Sequence, residues 1–528
     1  MKAKTLLYNG RIHTQAGGLV VDSMAIDRNC IVAVGNRLEH DPDFRSYHRI
    51  DLRSRTIVPG FTDAHTHFYH FARTFGQVSL DGVDSLEKCL TKIAKFARSL
   101  PKRSWVVGLG YSPDRFKKRI EPDRHMLDRI TDGRPAFIYS KDQHTAWVNS
   151  RALEIAGISA TTPDPAGGEI VRFADGEPSG ILREISAYDS IYKRIPSPSK
   201  KELDRSYQKA LEHAHRKGVT GLHSFDGAEA FNYLSNLAER NRCDLRINYY
   251  PPARSLSLLE STGTVYGAGT EFFRIAGVKL FADGALGSQT AFCLNKYVGS
   301  RDNRGIEVMN VSQIKQIVRR AAKLGLSCAI HAIGDRAVAN VLDAITGTRP
   351  PRSGARHRIE HMQLIRRKDL LRVKKLGIVA SMQPSHCPSD MEMVYKYWGK
   401  RSRNAYVFRS VLDRKIDLAF GSDVPIEPLD PLAGIAAAVR RAKQGSSSVF
   451  HPEQRISAVE ALYGFTAGPA VACGQSHCRG YLLPSYPADF VVLSQDITRI
   501  APKRISDTRV LATILDGTIK YSARSLNW

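Results

Sequence analysis

No stretch of this chain approaches the roughly 18 to 20 consecutive apolar residues that a membrane helix needs, so no helical membrane span is expected. None of the eight cysteines sits in a C-x-x-C pair: Cys30, Cys89, Cys243, Cys293, Cys328, Cys387, Cys473 and Cys478 are dispersed. A disulfide framework is not expected, and reduced thiols in a cytoplasm fit better. Cys473 and Cys478 flank His477, but their spacing is loose and no second pair follows, which argues against a structural zinc site there. The first ten residues hold two lysines and few apolar residues before Asn9-Gly10, which is no secretory leader, so a cytoplasmic location is expected. Acidic residues are outnumbered, 52 against 77 basic ones, for a net charge of +25. Such an excess accompanies nucleic-acid or acidic-surface binding when it is concentrated in patches. Here it is dispersed, and the densest stretches (115–119 and 366–375) read as solvated helix or loop faces. Specific nucleic-acid and membrane partners are not expected.

What the chain does have is length and an ordinary globular composition: 528 residues, 42% apolar and 24% charged. One large domain with additions, or two to three domains, is the expectation. Both ends read as β-structure. Thr5-Leu6-Leu7-Tyr8 runs into the hairpin signal Asn9-Gly10, and Phe490-Val491-Val492-Leu493 and Val510-Leu511-Ala512-Thr513-Ile514-Leu515 have the same texture. Chain termini are often close in space, so the two ends are expected to pair. Between them, short apolar runs alternate with stretches rich in Lys, Arg, Glu, Leu and Ala. Counted with the run before His65, those beginning near Val219, Leu245, Ile275, Ser327, Arg358, Gly377 and Leu418 make eight strand–helix units, the pattern of a (β/α)8 barrel. About 150 residues separate the first run from Val219, too many for one crossover helix, and this segment has strand signals of its own. It is expected to be an insertion covering the barrel mouth.

The ends of the runs carry the chemistry. After the turn pair Pro59-Gly60 come His65 and His67; on extended backbone a spacing of two puts both imidazoles on one face, and neutral imidazole is a common ligand of divalent transition metals. With 17 histidines in the chain, two ordinary histidines at a strand end are an equally simple reading of that pair alone. Other strand ends add Lys279, His331, His361 and Asp423. A lone histidine can be a satisfied core residue and Asp423 can cap a turn. Lys279, set between Val278 and Leu280, is harder to place: lysine is almost never fully buried without a partner, and an ammonium among apolar neighbours is costly.

Taken together these segments resemble the amidohydrolase superfamily, and within it the YtcJ-like branch related to N-substituted formamide deformylases. The matching pieces are Pro59-Gly60-Phe61-Thr62-Asp63-Ala64-His65-Thr66-His67, Gly277-Val278-Lys279-Leu280-Phe281-Ala282-Asp283-Gly284, His331-Ala332-Ile333-Gly334-Asp335-Arg336, Arg358-Ile359-Glu360-His361, Met382-Gln383-Pro384-Ser385-His386 and Gly421-Ser422-Asp423. Within the insertion, His144-Thr145-Ala146-Trp147-Val148-Asn149 and Gly180-Ile181-Leu182-Arg183-Glu184 match as well. Ser485-Tyr486-Pro487 replaces the branch's usual Pro-Gly, a departure that touches a turn and not the chemistry. The resemblance implies a distorted TIM (β/α)8 barrel over 59–469, with an insertion at about 75–205. It also implies a flanking β-sandwich from 1–58 and 470–528. It further implies one or two divalent ions, zinc first among them. His65 and His67 would bind one, His331 and His361 the other, with N6-carboxylated Lys279 between them and Asp423 as ligand and general acid/base. Glu184 is a candidate additional ligand. His144, Trp147, Asn149, Asp283, Asp335 and His386 are candidates for substrate contact or ligand orientation. The expected activity is hydrolysis of a C–N bond in a small-molecule amide, formamide or cyclic amide, in a chain that is a candidate homodimer. Ester hydrolysis at the same centre, or a barrel that binds without turnover, are the alternatives.

Overall fold

The computed structural model describes residues 4–112, 116, 121–140, 145–165 and 167–524. The chain divides into two compact units, Met1–Phe68 with Leu211–Trp528, and Tyr69–Ala210.

In the larger unit the two chain ends meet in β-structure. The strands Arg11–His13, Val20–Val21 and Thr56–Pro59 join Phe490–Leu493, Val510–Leu515 and Thr518–Ser522 in one six-stranded sheet. Phe490–Leu493 lies antiparallel to Thr56–Pro59, with Val491 opposite Val58. A four-stranded sheet of Lys4–Tyr8, Ser23–Asp27, Cys30–Gly35 and His48–Asp51 supplies Leu7, Met24, Ile26 and Ile31 to the core that also holds Ile57, Phe490, Val492 and Ile514. Burial of these apolar faces is what joins segments over 400 residues apart in sequence.

The rest of the larger unit alternates strands and helices. Phe61–Thr66, Val219–Ser224, Arg246–Tyr249 and Phe273–Ile275 form a four-stranded sheet; Gly277–Phe281, Ser327–Ala332, Arg358–His361, Val379–Met382 and Leu418–Phe420 form a five-stranded one. All neighbours in both sheets are parallel. Parallel pairing requires a crossover between strands, and the intervening helices supply it. In Val311–Lys323, for example, Asn310 and Gln313 close a capping box, and Ile314, Val318 and Ala321 form the buried stripe. Strands such as Val219–Ser224 and Val379–Met382 are buried at every residue, as expected of a parallel sheet covered on both faces. Single parallel bridges, Pro252 to Lys279 and Thr66 to Val424, lie where the two sheets adjoin.

One expected strand is two. The run from Ile275 to Leu280 breaks at Ala276, so that Phe273–Ile275 ends one sheet and Gly277–Phe281 begins the other. Gly277 lets the main chain come close at this break: a Cβ there would stand 2.5 Å from the Ser327 carbonyl oxygen.

The smaller unit has a six-stranded mixed sheet of Val78–Ser79, Val106–Tyr111, Ala136–Ser140, Thr145–Val148, Glu169–Arg172 and Pro178–Arg183, with its own apolar clusters. Among the described residues no helix is long and apolar enough to cross a membrane, and all eight cysteines are free thiols.

Candidate metal centre

Five parallel strands of the larger unit bring their C-terminal ends to one place. His65 is the fifth residue of Phe61–Thr66 and His67 follows its end; their ring centroids are 5.9 Å apart. His331, near the end of Ser327–Ala332, lies 4.6 Å from His361, the last residue of Arg358–His361, and His361 lies 4.8 Å from His65. Asp423 follows Leu418–Phe420. Its Oδ1 stands 3.5 Å from His65 Nε2 and 3.6 Å from His67 Nε2, and its Oδ2 stands 3.9 Å from His386 Nε2. Ligand-capable atoms of His65, His361 and Asp423 all lie within 4.8 Å of one another. Lys279, in Gly277–Phe281, places Nζ 4.5 Å above the Phe225 ring and 5.0 Å from that of Phe281.

The hydrogen bonds around the rings decide which nitrogens are free. His65 Nδ1 is 2.5 Å from Glu360 Oε2. Glu360 is fully buried, which works to raise its pKa, but Arg358 and then Lys279 more than offset this and hold it below the usual value, so it is an ionised acceptor. The proton of His65 is therefore on Nδ1, and Nε2 presents a lone pair toward Asp423. His331 Nε2 is 3.0 Å from the Gly284 carbonyl oxygen, which can only accept, so its lone pair is on Nδ1. Burial above all, then neighbouring cations, holds His65 and His361 well below the usual imidazole range; His331 is pushed down to about 3.

Neutral imidazoles converging on a carboxylate are a donor set suited to a divalent cation. The unsatisfied atoms agree. His361 Nδ1 and Lys279 Nζ are buried and have no hydrogen-bond partner among the described residues, a costly arrangement for a site that does nothing. Burial also lowers the pKa of Lys279, against the opposing pull of Glu360 and Asp423, and raises that of Asp423, against Lys279. Burial thus brings Lys279 down to about 8, closer to its neutral form than an exposed lysine.

The remaining candidates divide. His386 joins the cluster, its ring stacked 6.2 Å from that of His361. Asp283 accepts from the N–H groups of Phe292, Ile333 and Gly334, and its Oδ1 is 3.6 Å from His331 Nε2. It ties the segment after Gly277–Phe281 to the one after Ser327–Ala332. Asp335 accepts from Leu294 N–H at 2.9 Å, a loop anchor.

Trp147 and Asn149, candidates for substrate contact or ligand orientation, are bonded within the smaller unit. Trp147 is fully buried in the core of the smaller unit and donates Nε1–H to the Asp123 carbonyl. Asn149 caps helix Ser150–Ala156, accepts from Ala136 and Ala152 N–H, and donates to Thr131 Oγ1 and the Arg134 carbonyl. Both side chains are consumed by their own unit's architecture. Glu184 is exposed at the start of helix Ile185–Tyr192, with φ 68°, and the cluster of His65, His361 and Asp423 does not include it. His144 lies outside the described residues.

Sequence reasoning overlooked Asp63, Arg358, Glu360 and Ser381. Asp63 accepts from the N–H groups of His65 and Ser422 and so ties the first ligand strand to the last. Arg358 and Glu360 form a fully buried pair at 2.5 Å, with Ser381 Oγ 2.6 Å from Arg358 Nη2 and 2.7 Å from Glu360 Oε2. The signal was legible: opposite charges two apart in an otherwise buried strand share one face and must find each other or a common partner.

A model of the amidohydrolase family matches residues 49–521. The Bacillus subtilis (strain 168) protein YtcJ is 31% identical over 530 aligned residues, covering 98% of this chain and 99% of its own length. The N-substituted formamide deformylase of Arthrobacter pascens is 26% identical, covering 89% of each chain. Among solved structures, an uncharacterized metal-dependent hydrolase from Pyrococcus furiosus superposes with a TM-score of 0.78 at 30% identity, over 94% of this chain and 100% of that one.

Proposed function

This chain belongs to the amidohydrolase family, and from that premise we propose that it is a hydrolase of a C–N bond in an amide, formamide or cyclic amide. The observation that carries the reading is the convergence of His65, His361 and Asp423 beside a buried Lys279 whose Nζ has no hydrogen-bond partner among the described residues. The name of the formamide-cleaving relative supports the choice of bond. The two parallel sheets read as one distorted (β/α)8 barrel, and the sheets built by the chain ends as a flanking β-sandwich.

His65, His67, His331, His361 and Asp423 would hold one or two divalent ions, zinc by preference, since imidazole nitrogen with carboxylate oxygen is a donor set zinc accepts. Such an ion supplies Lewis acidity and brings the pKa of water down toward about 7. Lys279 would join as a carbamate: its ammonium gives up one proton, the neutral amine attacks CO2, a C–N bond forms as one C=O π bond breaks, and a second N–H proton leaves to solvent, so that a cation becomes an anion among neutral imidazoles. Asp423 takes the proton of the attacking water and returns it to the leaving amine. Its position 3.5 and 3.6 Å from two imidazole nitrogens keeps its carboxylate at the point where these groups converge. Glu360, through Nδ1 of His65, fixes that ring's tautomer.

The test is a panel of N-formyl, N-acyl and cyclic amides, with matched esters, assayed on protein of known metal content. Turnover of at least one amide class, lost on chelation and restored by metal, is expected. Protein that takes up no divalent ion after reconstitution, or that cleaves only the esters, overturns the reading.

A further inference from the structure

The interior of the parallel-strand region holds a polar group that no step above uses. His223, on Val219–Ser224, is fully buried, and its Nδ1 is 2.6 Å from Arg358 Nη1. A guanidinium only donates, so Nδ1 accepts and the ring's proton is on Nε2. That Nε2–H has no acceptor among the described residues. His223 lines a pocket that opens to solvent, whose wall also includes Thr62, Thr220 and Asn248. Asn248 Oδ1, in the same wall, also lacks a partner. A buried donor and a buried acceptor on one polar cavity are what an ordered water satisfies.

On its other side His223 leads to the metal centre. Arg358 gives one N–H to His223 and others to the Ala64 carbonyl, Ser381 Oγ and Glu360, each within 2.6 Å. Glu360 Oε2 in turn holds His65 Nδ1 at 2.5 Å. A planar guanidinium has fixed donor directions, so anchoring one arm on His223 aims the others, and with them the carboxylate that orients His65. We propose that His223 is a positioning residue for the ligand His65, acting through Arg358 and Glu360, and that the cavity on its far side is a water site that satisfies Nε2–H. This rests on the reading of His65 as a metal ligand.

Two variants of the full chain separate the ring's two nitrogens. His223→Asn places an amide oxygen near the position of Nδ1, whereas His223→Gln places its amide near Nε2 and leaves Arg358 without its acceptor. Zinc affinity is measured by chelator competition, with kcat and KM read on whichever amide the wild type cleaves. His223→Gln is expected to weaken zinc about tenfold, the low end for outer partners of a metal ligand, and to lower kcat more than KM. His223→Asn is expected to recover most of both. A zinc-binding wild type with both variants unchanged, or equally impaired, overturns the inference and leaves the metal reading standing. A wild type that binds no zinc overturns both. A crystal structure is expected to show water within hydrogen-bonding distance of His223 Nε2, and a dry cavity there overturns the second half.

Discussion

Replacing Glu360 by Gln tests the charge at the heart of the site without altering its shape. Glu360 and Arg358 are both fully buried, and their side chains meet at 2.5 Å. Removing one partner of such a pair costs about 3 to 5 kcal/mol, because the other charge is left uncompensated in a low-dielectric interior. The amide keeps an acceptor for Arg358, so the low end, about 3 kcal/mol, is the expected loss. Lys279 and its neighbouring cations lose a counter-charge at the same time. His65 also loses the anion that holds its proton on Nδ1, so metal affinity should fall by about 10 to 100-fold. Urea unfolding of metal-free wild type and variant measures the first effect, and chelator competition on refolded protein the second. The pH dependence has a definite sign. Glu360 has a folded-state pKa below its reference value of 4.5, so its stabilisation is complete above about 4.5 and is lost as pH falls through the lower, folded value. The gap in stability between wild type and variant should therefore close only below about pH 4.5. A variant as stable as wild type at pH 7, with unchanged metal affinity, would refute both the charged pair and its orienting role.

Asp423→Asn should retain most of its metal and lose roughly 10² to 10⁴ in kcat; near-normal turnover on the same amide would pass the proton to another group. Lys279→Ala should be inactive and partly restored by acetate or propionate, and wild type grown with ¹³CO2 should show a carbamate carbon; a bare amine in metal-replete protein, with no rescue, would end the carbamate assignment. Asn149→Ala should destabilise the smaller unit by at least the ~1 kcal/mol of a lost helix cap, since Ala136 and Ala152 N–H both lose their acceptor. The ratios of kcat/KM among amides should stay fixed in that variant; a change in them would reinstate substrate contact.

The legibility of this site in sequence has a physical limit. His65, His67, Lys279, His331, His361 and Asp423 stand out because each is a costly residue at the end of an apolar run, and the period of two or the cost of a buried ammonium can be read from neighbours alone. Phe273–Ile275 and Gly277–Phe281 could not be separated, because each pairs with strands distant in sequence, Phe273–Ile275 with Arg246–Tyr249 and Gly277–Phe281 with Ser327–Ala332. The bonding of Trp147 and Asn149 was hidden for a related reason. An aromatic and an amide in a turn-rich insertion look like recognition groups until their partners, Asp123, Thr131, Arg134 and Ala136, are known.

What pattern could not show at all is how the backbone spaces the strand ends that carry the histidines and Asp423. His361 and Asp423 have φ of 70° and 61°, in the left-handed region that non-glycine residues rarely adopt. Such backbone persists only where its surroundings over-determine it, and here main-chain bonds run from one ligand strand end to the next. Asp423 N–H donates to the His65 carbonyl at 2.8 Å, Met362 N–H to the Ala332 carbonyl at 3.1 Å, and Ala282 N–H to the His331 carbonyl at 2.8 Å. Asp63 adds a side-chain clasp between the first strand and Ser422. Gly421 is where this lacing demands glycine, since a Cβ would lie 2.4 Å from His65 N and 2.8 Å from Asp63 Oδ1. The imidazoles and the carboxylate are thus carried on a frame whose geometry the backbone fixes. Side-chain substitutions among the ligands should then alter what binds far more than where the strand ends stand.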